Sequence, residues 1–517
     1  MAPSADGGSE EFEDEWGPFG RPLFGDAEAR ALSRVGVVDV GSNSIRMVVF
    51  DGAARSPAYF FNEKVMAALG SGLAETGRLN PEGKLRAMAA LKRFQRLADG
   101  MGIAPLTAVA TAAVREAEDG PAFREEIRRE TGLRLFVIDG PEEARLSAQG
   151  VLLGWPGSYG LVCDIGGSSM ELAALADGEV GTCVSSTLGP LRLKTLKGGR
   201  KARRAIIDQT LNELHEKLGE QRDRLFLVGG SWRAFARLDM LRKDYPMAVL
   251  HEYRMSRRDV TATAKFIAEN EIGDLRKAAG LSEARMALVP IASEVLLRLV
   301  ARFRPHDIAV SSYGIREGML YEQMPQKLRD RDPLIEACRF AEHKDARVPG
   351  FGRVLYNFVR PLFSRAGADR LRVIRAACLL HDVSWRAHPD YRHEVCFDNA
   401  TRANLGGLTH AERVFIGVAL LHRYKSSRED TRLSELLNLM PEGDVIQAET
   451  LGRAMRFGAM FSGNQGGDLG TLNWKPKKKI LTLTLAEASA ALMGEVAEAR
   501  FGSLASALGA EAVIKGR

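Results

Sequence analysis

The stretch "GLVCDIGGSSMELAALADG", residues 160–178, is typical of a buried strand that ends in an aspartate, turns through glycine and serine, and continues as a second strand. The same pattern occurs far upstream in "GVVDVGSNSIRMVVFDG", residues 36–52. The matching pairs are Asp39 and Asp164, Gly41 and Gly166, and Ser44 and Ser169. A hairpin that occurs twice in this form predicts a duplicated domain whose two copies bind a ligand from opposite sides.

Strands and helices alternate around these hairpins up to about residue 325, which predicts α/β layers. The stretch "PEGKLRAMAALKRFQRLA", residues 81–98, has apolar residues at helical spacing behind a proline. We expect these residues to lie against a sheet: Leu85, Met88, Leu91, Phe94 and Leu97. Beyond about residue 330 strands become scarce and amphipathic helices dominate, which predicts a separate, mostly helical domain.

The chain has 517 residues, and at about 100–200 residues per domain this length predicts several domains. The boundaries that we predict are a disordered acidic leader at 1–33, α/β domains at 34–150 and 151–325, and a helical domain at 326–517. No run of about 18 apolar residues is present, so we expect no membrane span and no membrane partner. The five cysteines have no paired short spacing, which favours buried thiols and a cytoplasmic location.

Two basic runs stand out, at residues 192–204 ("RLKTLKGGRKARR") and 473–480 ("NWKPKKKI"). The net charge of +6 permits an anionic partner, but it says nothing about fold. Runs of this kind are most often solvated surface. We therefore expect no nucleic-acid partner, and the alternative of a dedicated track for a long polyanion needs other evidence.

The composition of the repeated turns suits phosphate binding. Glycine lets successive backbone N–H groups approach a ligand, and serine hydroxyls add donors. An aspartate there would repel a bare phosphate unless Asp39 and Asp164 hold Mg²⁺, which takes one or two carboxylates and shares phosphate oxygens and water. The alternative is a tight turn whose aspartate only bonds backbone, but the presence of two matching turns favours the metal-phosphate interpretation.

Between the two halves lies "IDGPEEARLSAQG", residues 138–150. Its proline places Glu142 and Glu143 in the first turn of a helix, where the dipole favours charged carboxylates, so we expect both to stay ionised. A capping role is the plain alternative. The functional hypothesis is a carboxylate that orients and deprotonates a water at the edge of a phosphate cleft. Arg115, in a loop, is a candidate clamp on phosphate oxygens or a surface residue.

Several motifs together resemble the exopolyphosphatase/guanosine pentaphosphate phosphatase (Ppx/GppA) family. They are "VVDVGSNSIRMVVFDG", "VATAAVREA", "IDGPEEARL", "VCDIGGSSMELA", "LVGGSWRAFARL" and "SSYGIREGMLYE", in order over residues 34–325. The resemblance implies an actin-like ATPase (ribonuclease H-like) fold of duplicated domains about a cleft, followed here by the helical region.

The resemblance also implies roles for individual residues. Glu143 corresponds to the catalytic base, and Glu171 is an acidic residue near the attacking water. The implied metal ligands are Asp39, Asp164 and Glu171. The implied phosphate contacts are Asn43, Ser44, Arg115, Gly166, Gly167 and Ser169.

The chain departs from the family pattern at two positions. Ser168 stands where many members have glycine, and we expect little loss because the donors stay in place. Trp232 stands where small or aliphatic residues are common, and we expect its ring to face any nucleotide bound at that loop. This disfavours an ATP-dependent actin-like kinase, although a tryptophan can also stack on a base.

The helical region contains "HDVSWRAHPDYRHE", residues 381–394, and a later His422, which resemble the metal site of HD-type phosphohydrolases. A working site of that type also takes a histidine from an earlier helix, and "VPGFGRVLYNFVRPLF" has none. We therefore predict an HD-like domain with an incomplete or absent metal site, serving substrate binding and dimer contacts.

These observations predict a Mg²⁺-dependent exopolyphosphatase that releases terminal orthophosphate from inorganic polyphosphate. Mn²⁺ in place of Mg²⁺, an additional monovalent cation and a homodimer are further expectations. The nearest alternative is hydrolysis of guanosine pentaphosphate, with (p)ppGpp as a partner. An actin-like kinase and a non-catalytic sensor of polyphosphate or alarmones are the remaining alternatives.

Overall fold

The computed structural model describes residues 34–51, 55–56, 58–103, 106–425, 431–464 and 469–516, so the predicted leader lies outside the described residues. The chain divides into two compact units, Met1–Arg331 and Asp332–Arg517. The boundary that we predicted at residues 150/151 falls inside a helix, Gly140–Gly154. No helix among the described residues has the length and apolar character needed to cross a membrane.

The first unit is built on two sheets. Its strands are β1 Val35–Val40, β2 Ile45–Phe50, β3 Tyr59–Val65, β4 Thr107–Ala110, β5 Leu135–Val137, β6 Gly160–Ile165, β7 Met170–Ala176, β8 Glu179–Ser186, β9 Arg224–Val228, β10 Arg254–Met255 and β11 Asp307–Val310. One sheet has the order β3-β2-β1-β4-β5 and the other β10-β11-β9-β6-β7-β8. Apart from its edge strand β10, the second sheet has the order β8-β7-β6-β9-β11, which matches β3-β2-β1-β4-β5 of the first sheet. In both sheets an antiparallel hairpin lies beside parallel strands. The duplication predicted from the two hairpins is therefore present.

Helices cover these sheets. They are α1 Leu73–Thr76, α2 Pro81–Gly100, α3 Ala112–Glu116, α4 Gly120–Thr131, α5 Gly140–Gly154, α6 Pro190–Lys194, α7 Gly199–Leu218, α8 Gly230–Arg242, α9 Arg257–Glu269, α10 Ile272–Ala278, α11 Glu283–Met286, α12 Val289–Phe303, α13 Ile315–Glu322 and α14 Gln326–Arg329. In α2 the predicted face is only partly right. Leu91 and Phe94 are buried, but Leu85 is 75% exposed because the buried face turns through Ala87, Ala90 and Ala98 instead.

Two helices join the halves of the first unit. A Cβ added to Gly318 of α13 would lie 1.8 Å from the carbonyl oxygen of Leu146 in α5, and one added to Gly150 would lie 2.2 Å from that of Gly314. Only glycine permits backbones to approach this closely. Apolar residues of both helices share one core with residues of both sheets, so the pair fixes the two hairpins relative to each other.

The second unit is mostly helical, as predicted. Its helices are α15 Pro333–Asp345, α16 Phe351–Val359, α17 Ala368–Leu380, α18 Arg392–Arg402, α19 His410–His422, α20 Thr431–Leu437, α21 Glu442–Ser462 and α22 Glu495–Ala507, with 3₁₀ turns at Arg360–Phe363, Pro476–Lys478 and Glu487–Leu492. A small sheet of β12 Thr471–Lys475, β13 Ile480–Thr484 and β14 Glu511–Lys515 accompanies them. The basic run at 473–480 forms the β12–β13 hairpin.

Candidate active site

The turns of the two matching hairpins have the same geometry. The N–H of Gly41 donates to the carbonyl oxygen of Ser44 at 3.1 Å, and that of Gly166 donates to Ser169 at 3.0 Å. Neither turn glycine has a positive φ. These turns therefore do not need glycine for left-handed geometry, and the missing side chain leaves their backbone N–H groups accessible.

The turns also meet each other. The hydroxyl oxygens of Ser42 and Ser168 lie 3.2 Å apart, although 126 residues separate them in the chain. The departure at Ser168 therefore provides a hydroxyl at the point where the two hairpins touch. Next to this contact lies a cavity of about 270 Å³.

Most of the site residues predicted from the sequence line this one cavity. They are Asp39, Asn43, Ser44, Glu143, Asp164, Gly166, Gly167 and Ser169. Two predicted residues are not part of the lining. Glu171 lies on β7 directly opposite Asp164 and is only 1% exposed, and Arg115 lies beside Glu143.

The surroundings of Glu143 in the fold work against the expectation that it stays ionised. Burial, together with the nearby carboxylates of Glu171 and Asp164, raises the pKa of Glu143 well above its usual value. Burial and Asp164 likewise raise the pKa of Glu171 to about 8. The predicted helix start is correct, because Asp139 caps Glu142 at 2.8 Å. However, the helix dipole is weaker than the loss of solvation that burial causes.

Arg115 contacts the proposed base instead of lining the cavity. Its Nη1 donates to the carbonyl oxygen of Ile138 at 2.8 Å and lies 3.7 Å from Oε2 of Glu143. That oxygen is buried and accepts no hydrogen bond. The geometry therefore favours Arg115 as a residue that orients Glu143 over a direct phosphate clamp.

The acidic residues have the chemistry of a cation site. Burial raises the pKa of Asp39, and Asp164 adds to this increase. Oε2 of Glu171 is buried without a hydrogen-bond partner. Within the described residues, no three His, Cys, Asp or Glu side chains could together hold a metal ion. The predicted three-carboxylate set is thus not assembled, but Asp39 and Asp164 fit Mg²⁺, which needs only one or two carboxylates.

Five basic residues on the cavity wall were missed by the sequence analysis: Arg46, Lys64, Arg233, Arg285 and Arg316. These five cations outnumber the three carboxylates that line the cavity. Burial and the neighbouring Arg316 lower the pKa of Arg233 to about 10, while burial and Arg285 lower that of Lys64. Cations held together against their own repulsion favour an anionic ligand.

A sequence signal existed for part of this wall. Arg46, Arg233 and Arg316 each lie in one of the glycine-containing motifs, a few residues after the turn. The strand register shows one difference between the two halves. In the first hairpin Arg46 lies opposite Asp39, whereas in the second hairpin Glu171 lies opposite Asp164. Lys64 and Arg285 lie outside these motifs, and only the fold brings them to the cavity.

The prediction that Trp232 faces a nucleotide is wrong. Its side chain is fully buried in the core beneath the second sheet and does not line the cavity. The helix α8 begins at Gly230, so Trp232, its third residue, turns inward while Arg233 turns towards the cavity. Trp232 therefore gives no argument against a nucleotide.

The basic run at 192–204 is partly neutralised. Arg203 and Arg204 donate to Glu294 at 2.9 and 2.7 Å, and Arg200 lies 3.6 Å from the same carboxylate. Three positive charges around one buried acid form a local network at the start of α7. This agrees with the interpretation of the run as surface.

In the second unit, the HD-like residues do not converge on a metal site. Asp382 is engaged by Arg347, with 2.6 and 2.9 Å between the guanidinium nitrogens and the carboxylate oxygens. His388 pairs with Asp390 at 3.6 Å and His422 with Glu449 at 3.4 Å. The incomplete or absent metal site of the helical domain stays a prediction.

Comparison with known proteins gives two family matches. Residues 48–327 match the Ppx/GppA phosphatase family and residues 341–514 match the exopolyphosphatase C-terminal domain. Exopolyphosphatase 1 of Mycobacterium tuberculosis is 33% identical over 163 residues, 31% of this chain. The alignment spans 47% of that relative, about half its length. Retrograde regulation protein 2 of Saccharomyces cerevisiae is 25% identical over 82% of this chain and 79% of its own.

Solved structures show the same fold. An exopolyphosphatase from Cytophaga hutchinsonii matches 56% of this chain and 97% of its own with 25% identity and a TM-score of 0.50. An exopolyphosphatase-like protein matches 57% of this chain and 98% of its own with 25% identity and a TM-score of 0.51. The predicted α/β fold of duplicated domains, with a largely helical C-terminal region, is confirmed. Since the family match covers more than half of the residues, the chain belongs to the Ppx/GppA phosphatase family.

Proposed function

We propose that this protein is an exopolyphosphatase that hydrolyses the terminal phosphoanhydride bond of linear inorganic polyphosphate. The observation that carries the proposal is the cavity where two phosphate-type turns, a buried carboxylate and five cations meet. Phosphoryl transfer needs positioning and charge stabilisation more than covalent chemistry. This set of groups is suited to both tasks.

In the proposed reaction, Glu143 accepts a proton from the attacking water. A general base works best when its pKa lies near the working pH, and burial moves the pKa of Glu143 in that direction. Arg115 holds the carboxylate in place. The water attacks the terminal phosphorus, the phosphoanhydride bond breaks, and the departing chain keeps the bridging oxygen.

The phosphate oxygens would be held by the backbone N–H groups and hydroxyls of the turns and by Arg233 and Arg316. Asp39 and Asp164 would hold a magnesium ion, whose chemistry when bound is neutralisation of charge on the phosphate oxygens. The remaining cations, Arg46, Lys64 and Arg285, would carry the following phosphate units.

The size of the cavity favours a phosphate chain over a nucleotide. At about 270 Å³ it is smaller than the usual range for drug-sized ligands, about 300–1,000 Å³. The names of the mycobacterial and Cytophaga relatives support the same substrate class.

The test is phosphate release by Glu143→Gln, with Glu142→Gln as its matched control. Glu142 precedes Glu143 in the same helical turn but pairs with Arg145 at 2.7 Å, and it does not line the cavity. Loss of a general base lowers the rate about 10²- to 10⁴-fold, and we expect that loss only for Glu143→Gln. A normal rate in this variant would contradict the assignment.

The substrates in this assay are polyphosphates of graded length and guanosine pentaphosphate, each with and without Mg²⁺. Release from polyphosphate alone supports the proposal, whereas preference for guanosine pentaphosphate would assign the chain to the alternative activity. Mn²⁺ and monovalent salts are compared in the same assay. The homodimer and the cytoplasmic location stay predictions.

A non-catalytic regulatory role is the second candidate. The relative aligned over most of this chain, 82% of it, is named for retrograde regulation. In that case purified protein would bind polyphosphate but release no orthophosphate from any of the substrates. The buried oxygen of Glu143 that accepts no hydrogen bond favours the enzyme, because a binding module has no need of it.

A further inference from the structure

A pair of side chains outside the cavity connects the first sheet to the turn before α13. Tyr59 is the first residue of β3, the edge strand of that sheet, and its hydroxyl donates to Oε1 of Glu317 at 2.8 Å. Glu317 is the third residue of α13 and is fully buried. Neither residue lines the cavity, and 258 positions separate them in the chain. Only the tertiary structure brings them together.

The other carboxylate oxygen of Glu317 holds the turn that leads into this helix. The backbone N–H of Gly314 donates to Oε2 of Glu317 at 2.7 Å. The residues of the turn, Gly314, Ile315 and Arg316, all line the cavity. The last torsion of a glutamate side chain is broadly distributed, and a donor on each oxygen restricts it. Tyr59 therefore maintains the orientation in which Glu317 holds the turn.

The turn lies close to the acidic residues of the site. A Cβ added to Gly314 would lie 2.8 Å from Cγ1 of Val228 and 3.9 Å from Oδ2 of Asp164. Arg316 follows Gly314 by two residues. A shift of the turn would therefore move the guanidinium of Arg316 relative to Asp164.

Arg316 is the functional group that this turn carries. Burial lowers the pKa of Arg316, but the carboxylates of Glu317 and Asp39 outweigh burial and raise the pKa above its usual value. Its Nε is buried and donates no hydrogen bond. A buried guanidinium that keeps its charge and has an unused donor suits a phosphate oxygen.

The hydroxyl of Tyr59 stays a donor to this carboxylate at neutral pH. Loss of solvation and the charge of Glu317 raise the pKa of Tyr59 well above its usual value. The ring of Tyr59 also packs against Phe50, with 5.6 Å between the ring centroids, and the two residues pair between β2 and β3. These contacts hold the ring in place without the hydroxyl, so the hydroxyl can be removed by itself.

We propose that Tyr59 is a positioning residue for Arg316 and acts through Glu317 and the turn at Gly314. The inference rests on the proposed function, because Arg316 is a phosphate contact there. Without the hydroxyl, Oε1 of Glu317 loses this donor at a buried position, and an acceptor in that situation reorients or takes up water. The turn then loses its fixed orientation, and Arg316 faces the phosphate in fewer of the molecules.

The variant Tyr59→Phe removes the hydroxyl and keeps the ring. We expect kcat/KM for polyphosphate to fall about tenfold, because a hydrogen bond to a charged group has an effect of that size. Tyr159→Phe is the matched control, since the hydroxyl of Tyr159 also donates to a carboxylate, that of Asp177, and neither residue lines the cavity. An equal fall in both variants, or no fall in Tyr59→Phe, overturns the proposal.

A double-mutant cycle tests whether Tyr59 acts through Arg316. Binding of tripolyphosphate with Mg²⁺ is measured by calorimetry in full-length Glu143→Gln protein, which we expect not to turn over. Tyr59→Phe should weaken binding about tenfold when Arg316 is present and by less than about twofold when it is combined with Arg316→Gln. An equal loss in both backgrounds would show that Tyr59 acts independently of Arg316 and would overturn the proposal.

The two measurements separate this inference from the proposed function. If the two substitutions are coupled in binding but the wild type releases no orthophosphate, the exopolyphosphatase activity is refuted and the role of Tyr59 is supported. If the wild type releases orthophosphate but the two substitutions act additively, the activity is supported and the role of Tyr59 is refuted. Absence of tripolyphosphate binding in the Glu143→Gln protein overturns both.

Discussion

At the scale of single residues, burial and mutual repulsion disfavour the ionised form of the acids in the cleft. Binding of protons or of a cation would relieve this destabilisation. The pKa of Glu171 rises from its usual 4.5 to about 8 through burial and Asp164. The folded state therefore holds this proton more tightly than the unfolded state. The contribution of Glu171 to the free energy of unfolding falls as the pH rises from about 4.5 to 8.

We predict that Glu171→Gln removes this dependence in protein kept free of metal with EDTA. The variant should gain stability over the wild type as the pH rises from 5 to 8, by at most about 1.4 kcal/mol per pH unit. Thermal unfolding at each pH measures the difference. The control variant is Glu125→Gln, because Glu125 is exposed. If the difference in stability between Glu171→Gln and the wild type stays constant across this pH range, the prediction is refuted.

At the scale of elements, the turn after β6 depends on a glycine that follows β8. A Cβ added to Gly189 would lie 2.2 Å from the carbonyl carbon of Ser168 and 2.4 Å from the amide nitrogen of Ser169. Gly189 has an ordinary φ of −73°, so glycine is not needed here for backbone conformation. It is needed because any larger side chain would clash with the turn. The start of α6 is thereby packed against the backbone of the proposed phosphate turn.

We predict that Gly189→Ala displaces this turn, lowers the free energy of unfolding by about 1–3 kcal/mol and reduces phosphate release. Gly273→Ala in α10 is the control, because a Cβ there meets nothing within 4 Å and alanine favours a helix. Denaturant unfolding and the release assay are run on both variants. If the Gly189→Ala protein has unchanged stability, the turn accommodates the added methyl group and the prediction is wrong.

At the scale of the whole molecule, each of the two compact units buries apolar residues of its own. The first unit contains clusters of buried apolar residues around its two sheets, and the second buries its own set, including Phe415, Leu451 and Phe501. Residues within a core unfold together, whereas separate compact units can unfold independently.

We therefore predict two transitions in calorimetric unfolding, and Glu171→Gln identifies the transition of the first unit by shifting it alone. In Glu143→Gln protein, which we expect not to turn over, Mg²⁺ with tripolyphosphate should raise that same transition. The gain is about 2.7 kcal/mol when the ligand is present at a hundred times its dissociation constant. A single transition would contradict the independence of the units, and an unshifted first transition would count against the cleft as the binding site.

The sequence by itself determined the duplicated hairpins, the glycine and serine turns with their aspartates, and the helix start at Glu142 and Glu143. These features depend on neighbouring residues, since strand periodicity, capping and turn composition act over a few positions. The family motifs added the fold class for the same reason, because each motif is a local pattern.

Only the tertiary structure decided the burial that raises the pKa of Glu143, the inward position of Trp232 and the basic wall of the cavity, which includes Arg46 and Arg285. Burial and electrostatic interaction depend on distance in space and on lost solvent, and residues hundreds of positions apart contribute to both. A local pattern carries no information about either quantity.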